Sequence, residues 1–539
     1  MRRDLSQLAA QEFDLAVVGS GVHGAWVALR AAAAGLRTAL LERDDFGAAT
    51  SANSLRILHG GLRYLQSLDV VRMRRSVRAR RSFARLAPQL VTPLGCLLPL
   101  GPLGLRSPWA FGPALLINEI VSSGQRRGVV ARARLPRGRL LSARDAAAQI
   151  APYARRRVAG GGVWWDMLLD DAERMTVEVV LAEAAHGACV ANRVEARALR
   201  VASGRVTGVL AQDRAGERPF EIKARTVVDA TGPWAGRLAA ASGLPRSERL
   251  PTRWLGALNI VVRRRMSQPL AVALTAGSGV DRRELFLVPF QGALMIGTDY
   301  VPVEGPGATI PEGLVERFVE LVGRVAPQLD LRLADVVNLH WGVLPAAATH
   351  GLQPASSAIV TDAAAEQGPQ GLVTVVGEKY TSAPVVSADV LRLVGGGTPD
   401  IGDDEALLRP CGTPDDTDRR PEPAAVPERY RARYPRSWPS LVELCSRDPR
   451  LAAPLSAEVA ATGAEVVHAI RAEMALDLAD VVLRRLGLGA TGHPGAEVLG
   501  RCAEFAAPEF GWSAAQAEAA AQALDEAFER RRRAQIGAM

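Results

Sequence analysis

An apolar run at Leu15–Val18 ends in glycine, small and apolar residues continue to Ala34, and a second apolar run follows at 38–41. That pattern predicts a buried parallel strand, a glycine turn, a helix closed by Gly35 and a second strand within TALLE. Farther along, ARTVVDATGPWA (224–235) predicts another strand running into a small-residue turn. Residues 69–87 set seven arginines among Val70, Val71, Met73, Val77, Phe83 and Leu86 at helical spacing. This basic amphipathic helix has two readings, a membrane-surface element or a solvated helix backing the nucleotide fold. Leu86–Leu105 is uncharged, but prolines 88, 93, 99 and 102 disqualify it as a crossing helix and leave an interfacial or a core segment. Stretch 396–428 is rich in Gly, Pro and Asp and predicts a linker. Residues 464–489 and the terminal SAAQAEAAAQALDEAFERRRRAQ predict helices, and Arg530–Arg533 is expected to be a solvated helix end. The expected division is 1–395, the linker 396–428, and a helical unit 429–539.

Composition narrows the picture. With 539 residues, 48% hydrophobic and 23% charged, the chain is long enough for two or three cores and too apolar for dominant disorder. A net charge of +8 favours an anionic ligand or lipid surface. No nucleic-acid motif stands beside the basic clusters, which disfavours nucleic acid. Five scattered cysteines without a CxxC point to neither a disulfide framework nor a metal site and fit a reducing cytoplasm. The first residues lack an apolar signal core, so a cytoplasmic location is expected, with attachment to the inner face of the cell membrane as an extension of it.

The chemistry-bearing motif is GSGVHG. Gly19 permits a tight turn, Gly21 lets backbone approach a pyrophosphate, and Gly24 lets helix and strand pack closely. Glu42, about twenty residues on, can accept from an adenosine ribose and disfavours a 2′-phosphate. The small residues Ala230, Thr231 and Gly232 after the later strand offer a second backbone approach, which favours FAD over NAD.

With HGGLRYL and ATGPW both present, the chain resembles the FAD-dependent glycerol-3-phosphate dehydrogenases, relatives of the amino-acid oxidase type of flavoprotein. The similar segments are the GxGxxG unit, ATSANSLRILHGGLRYL (49–65), WWDMLLDDAE (164–173), DATGPWA (229–235), LFLVPFQGALMIGTDY (285–300), HWGVLPA (340–346) and VVGEKYTSA (375–383). The resemblance implies an α/β fold: a Rossmann-like FAD-binding domain with a mixed-sheet substrate cap, plus a C-terminal helical domain. It implies that His59, Gly60 and Gly61 lie along the flavin and that Thr50 and Ser51 help hold the pyrophosphate or ribityl chain. It further implies that Val194, Gly342 and Gly377 line the cofactor, and that Lys379 and Thr381 sit at its substrate side. Arg63, Tyr64, Arg253, Asn259 and Lys379 are the implied substrate contacts. The implied reaction is oxidation of a secondary alcohol, hydride passing to flavin N5 and electrons onward to quinone or oxygen; a homodimer and an anionic membrane surface are the other candidate partners.

The substrate side departs from the family. Leu344 stands in GVLP where relatives have GVRP, Glu173 in DDAE where they have DDAR, and Gly256 and Asn259 where a KGxH pattern is usual. Losing two guanidinium groups weakens phosphate recognition, since each charge-assisted contact contributes roughly 1.5–3 kcal/mol. The proton acceptor is then one of His59, His340, Glu173 and Glu378. Glu173 also opens the alternative of a cationic, amino substrate; an unphosphorylated hydroxy compound and a non-catalytic, membrane-associated flavin scaffold are the others.

Overall fold

The computed structural model describes residues 1–216, 218–266, 269–277, 283–347, 352–395 and 427–536. Of the expected linker, 396–426 lies outside the described residues, and so does Cys411. The first sheet runs, in spatial order, Ile359–Asp362, Leu372–Val376, Pro219–Asp229, Glu12–Val18, Thr38–Leu41 and Cys189–Ala191. From Leu372–Val376 to Cys189–Ala191 all neighbours are parallel. Helix Val22–Ala33 covers this sheet, packed between helices Ala172–Ala185 and Ala383–Val394. Burial on both faces is why Leu15–Val18 and Thr38–Leu41 are nearly continuous apolar runs.

A second, mixed sheet forms the cap. Its order is Val336–Pro345, Trp254–Val262, Ala293–Val303, Arg283–Phe290, Ala271–Ala276, Val91–Leu100, Gly160–Leu169 and Ile57–Leu58, with Arg139–Leu141 beside Gly160–Leu169. The proline-broken apolar segment is therefore a core strand. It meets Ala271–Ala276 only at Cys96 and Leu97, so Pro93 and Pro99 fall where one side carries no ladder partner.

The basic helix forms at Val70–Leu86, started by Asp69, whose carboxylate accepts the Arg72 N–H at 2.9 Å. The helix does back the nucleotide fold, but it is far less solvated than that reading expected. Phe83 meets Trp26 edge-on at 5.3 Å. Arg80 and Arg85 are buried, Arg75 pairs with Asp389, and only Arg74 and Arg78 among the seven arginines are exposed. The helix is a wall of the core because its arginines find internal partners. Among the described residues, no helix is long and apolar enough to cross a membrane.

The C-terminal region packs its own apolar core of helices. Residues 464–489, expected as one helix, are two: Gly463–Glu473 stops at Met474 with φ +56°, and a wider-wound turn follows at Asp480–Arg485. The freed carbonyls are taken up by Arg485 (to Glu473, 2.9 Å) and Asn192 (to Met474, 3.0 Å), so the break is satisfied by tertiary donors. Arg484 and Arg485 then close on buried Asp45 at 2.5 and 2.6 Å, which ties this region beneath the nucleotide domain.

Candidate active site

A cleft of about 2660 Å³ opens at the carboxyl ends of the parallel strands. It exceeds the roughly 300–1,000 Å³ of ordinary ligand pockets and has room for a dinucleotide together with a small substrate. Each strand delivers a lining residue just past its end: Gly19, Glu42, Val194, Ala230 with Thr231 and Gly232, and Gly377. Such strand ends are where doubly wound sheets bind ligands.

The nucleotide end fits a flavin dinucleotide on its own geometry. Gly19 has φ +97°, and a Cβ there would lie 2.8 Å from the Ala230 carbonyl oxygen. Gly24 does not line the cleft; a Cβ on it would lie 1.9 Å from the Gly19 oxygen, so it packs helix on strand as the motif requires. The Ser51 hydroxyl accepts the Val22 N–H at 2.9 Å, and the Thr50 hydroxyl donates to the Val343 carbonyl at 3.0 Å. Glu42 accepts from the Ser20 and Asp44 amides at 2.8 and 2.9 Å, yet burial still pushes its carboxyl above the ordinary range. A carboxylate has about four acceptor sites, so Glu42 keeps capacity for the two hydroxyls of a ribose. The Ser20 hydroxyl beside it is buried with no hydrogen-bond partner among the described residues.

The substrate end is built around Tyr64. Lys379 Nζ donates to its hydroxyl at 2.8 Å, and the Arg72 and Arg63 guanidinium carbons lie 4.2 and 5.4 Å from its ring centroid. Burial opposes ionisation of the phenol, but the charges of Lys379, Arg63 and Arg72 outweigh it and hold its pKa below the ordinary value. His59, edge-on to Tyr64 at 6.2 Å, has its pKa pressed well below 6.5, first by burial and then by Lys379, Arg63, Arg80 and Arg72. That direction favours the neutral imidazole. Glu378 lies 3.3 Å from Lys379 and accepts the Ser382 hydroxyl at 3.0 Å.

Several expected residues do not gather here. His340 is buried away from the cleft, its ring nitrogens 3.3 and 3.0 Å from the Ala52 and Ala490 carbonyls, and burial drives its pKa down to about 3; it ties the cap strand to the C-terminal region. Arg253 is exposed just ahead of the strand Trp254–Val262 and does not line the cleft. Glu173 faces neither substrate nor water, since Arg56 holds it in a buried bidentate pair at 2.7 and 2.8 Å. The charge reversal at DDAE is thus neutralised internally. Gly60 does not serve flavin access either, because a Cβ there would lie 2.6 Å from Arg80, whose guanidinium fills the space. Arg80 in turn pairs with Asp166 at 2.5 Å, and that carboxylate accepts the Gly60 N–H at 2.6 Å, fixing the HGG turn. Gly61 does line the cleft, with φ +84°, and its missing side chain admits the Tyr64 ring.

Gly342, Gly377, Lys379 and Thr381 all line the cleft. A Cβ on Gly377 would lie 2.0 Å from the ring of His23, a residue that sequence reasoning passed over although it sits inside GSGVHG. Burial lowers the His23 pKa to about 4. Asn259 also lines the cleft, but its amide oxygen is taken by the Thr298 hydroxyl at 2.7 Å. No lysine fits at Gly256, where a Cβ would lie 1.9 Å from Trp341. Arg72 and Tyr300 also line the cleft and were not singled out as site residues from the sequence. The arginine count on the basic helix hinted at Arg72; nothing local singled out which arginine turns inward.

Comparison with known proteins follows the same lines. Residues 14–390 match the family described as FAD dependent oxidoreductase, and 421–517 match the C-terminal domain of alpha-glycerophosphate oxidase. A glycerol-3-phosphate dehydrogenase of Synechocystis sp. is 27% identical over 98% of each chain. Glycerol-3-phosphate dehydrogenase 2 of Mycobacterium tuberculosis is 29% identical over 94% of this chain and 87% of its own. Among solved structures, the glycerol-3-phosphate dehydrogenase from Bacillus halodurans complexed with FAD superposes with a TM-score of 0.68 at 19% identity, over 99% of this chain and 97% of that one, a likeness of fold.

Proposed function

This chain is a member of the FAD-dependent oxidoreductase family, and from that premise we propose that it oxidises the secondary alcohol of glycerol 3-phosphate to a ketone. The observation that carries the reading is the cationic cluster of Arg63, Arg72 and Lys379 around Tyr64, in which Glu378 pairs with Lys379 and, among the described residues, no carboxylate pairs with Arg63 or Arg72. Such a site favours an anion. FAD, when bound, supplies the acceptor for the hydride leaving the alcohol carbon. The chain's own residues do the rest. Gly19, Gly21, Ser51, Glu42, Val194 and Thr231 hold the dinucleotide, and Gly61, Gly342 and Gly377 line the cleft, their missing side chains seating Tyr64, Thr50 and His23 against it. Arg63 and Lys379 hold the substrate's anionic end. His59 takes the hydroxyl proton at a ring nitrogen. Burial and four cations depress its pKa, and an anion seated among those cations lifts it, so the imidazole gains basicity when substrate arrives. Glu378, already engaged by Ser382 and Lys379, is the weaker candidate.

The amino-substrate alternative loses its main support, because the carboxylate it needed is paired with Arg56. Mixing oxidised holoenzyme anaerobically with glycerol 3-phosphate is expected to bleach flavin absorbance near about 450 nm, while glycerol and amines do so poorly. If only uncharged or amino compounds bleach it, the phosphate assignment is wrong; if nothing but dithionite does, the scaffold reading replaces it.

For the electron acceptor we propose a membrane quinone reached at an anionic bilayer. Support comes from helix Pro108–Val121, whose outward face carries Trp109, Leu116 and Ile120 at 87%, 64% and 62% exposure, beside Leu103 and Leu105 at the cleft rim. Residues 121–144 then hold seven arginines and no acid. An apolar face flanked by arginine suits a bilayer interface. The double variant Leu116→Glu/Ile120→Glu is expected to stop flotation with anionic vesicles and to leave substrate bleaching intact. Unchanged flotation removes the proposal, and a shift from dimer to monomer on gel filtration reassigns the face to a contact between copies.

A further inference from the structure

We propose that Arg72 recognises the anionic end of the substrate, taking the part of the guanidinium that is missing at Leu344. The proposal rests on the phosphorylated-substrate reading above and assigns it a residue outside every motif that carried the resemblance.

The geometry starts at the helix cap. Arg72 is the third residue of helix Val70–Leu86, and Asp69 spends its carboxylate on the Arg72 backbone N–H rather than on the side chain. The side chain is thereby free to leave the helix, and it lies over the Tyr64 ring at 4.2 Å on the wall of the cleft. Arg72 Nη2 donates to the Ser356 carbonyl. That contact locates the guanidinium relative to the family turn. The neighbouring Ala355 N–H donates to the Pro345 carbonyl at 2.8 Å, Ala347 N–H donates to the Gln353 carbonyl at 2.8 Å, and Ala346 bridges Pro354. Segment 353–355 is thus pinned on Pro345–Ala347, and Arg72, held at Ser356, lies on the segment packed against the turn that follows Leu344.

Charge supports the same conclusion. On this helix Arg75 is neutralised by Asp389 and Arg80 by Asp166. Among the described residues no carboxylate pairs with Arg72, and the Ser356 carbonyl is the one acceptor its side chain meets. A guanidinium carries five N–H donors in a planar fork suited to phosphate oxygens. Its positive charge already acts on the site, because it helps to lower the pKa of both Tyr64 and His59. A half-buried cation without a counter-ion, among two others, is stabilised when an anion enters.

The alternative role is a strap that merely holds segment 352–356, and the test separates the two. Arg72→Gln keeps a donor for the Ser356 carbonyl and removes the charge. In the full-length holoenzyme it is expected to raise KM for glycerol 3-phosphate roughly ten- to hundredfold with kcat little changed. Binding of inorganic phosphate to the oxidised holoenzyme, measured by titration calorimetry without turnover, is expected to weaken by the same factor. Arg72→Lys is expected to recover part of both losses, and adding Leu344→Arg to Arg72→Gln most of the phosphate affinity. An unchanged KM and phosphate affinity in Arg72→Gln overturns the proposal, and so does an equal loss for glycerol and glycerol 3-phosphate. Wild-type holoenzyme that binds no phosphate overturns it outright. Phosphate binding that depends on Arg72 in an enzyme that glycerol 3-phosphate fails to bleach sustains the proposal and rejects only the reaction assigned to the site.

Discussion

Glu173→Gln is expected to destabilise the protein by about 3–5 kcal/mol, the cost typical of leaving one member of a buried ion pair uncompensated. The Arg56 side chain has no exposure and Glu173 has 9%, so water cannot solvate the orphaned guanidinium. Arg56 also has φ +61°, an unfavourable backbone for a residue with a side chain, and the bidentate contact helps to hold it there. The double variant Arg56→Met/Glu173→Met is expected to fall within about 1–2 kcal/mol of wild type, because two apolar chains replace the pair without leaving a charge. Denaturant midpoints of the two variants measure this. A midpoint for Glu173→Gln indistinguishable from wild type means that the pair is solvated in solution and that the carboxylate is open to the site after all. Surviving Glu173→Gln enzyme is expected to keep its KM, since the carboxylate does not line the cleft.

Lys379→Met is expected to lower kcat/KM for glycerol 3-phosphate roughly ten- to hundredfold, the value of one charge-assisted contact of about 1.5–3 kcal/mol. The same change removes the 2.8 Å donor to the Tyr64 hydroxyl, so the phenol titrates at higher pH. It also removes a cation that holds the His59 pKa down, second only to burial. A base works only when deprotonated, so raising the His59 pKa moves the acid limb of kcat/KM upward toward 6.5. A pH profile of the free enzyme's kcat/KM reads this shift. If the variant loses activity while the acid limb stays in place, His59 is not the proton acceptor.

The glycine turn and the strand ends that line the cleft were legible in the chain because they are local. Gly19, Gly24 and the strand ends obey steric rules spanning a few residues: a turn needs positive φ, and a Cβ on Gly24 meets backbone one turn away. The apolar runs at 15–18 and 38–41 have the lengths and composition that a doubly covered parallel sheet demands. Where sequence reasoning failed, the deciding contact came from far along the chain. The arginine-rich helix looks like a surface element until Asp166, Asp389 and the Tyr64 cluster are brought against it. His340 looks like a base until Ala490, 150 residues away, claims its ring. The run 464–489 keeps helical spacing throughout, yet it breaks where Arg485 and Asn192 offer its carbonyls better partners.

The sequence by itself determined the glycine turn and the identity of the strand ends that line the cleft, since those depend on backbone sterics and on the period of apolar residues. Only the tertiary structure decided which charges are spent inside the protein and which face the cleft. A charged side chain's role is set by whether its partner is a carboxylate or open space, and chain spacing says nothing of that: Glu173 and Arg80 are consumed by distant partners, while Arg72, from the same helix as Arg80, lines the cleft and, among the described residues, pairs with no carboxylate.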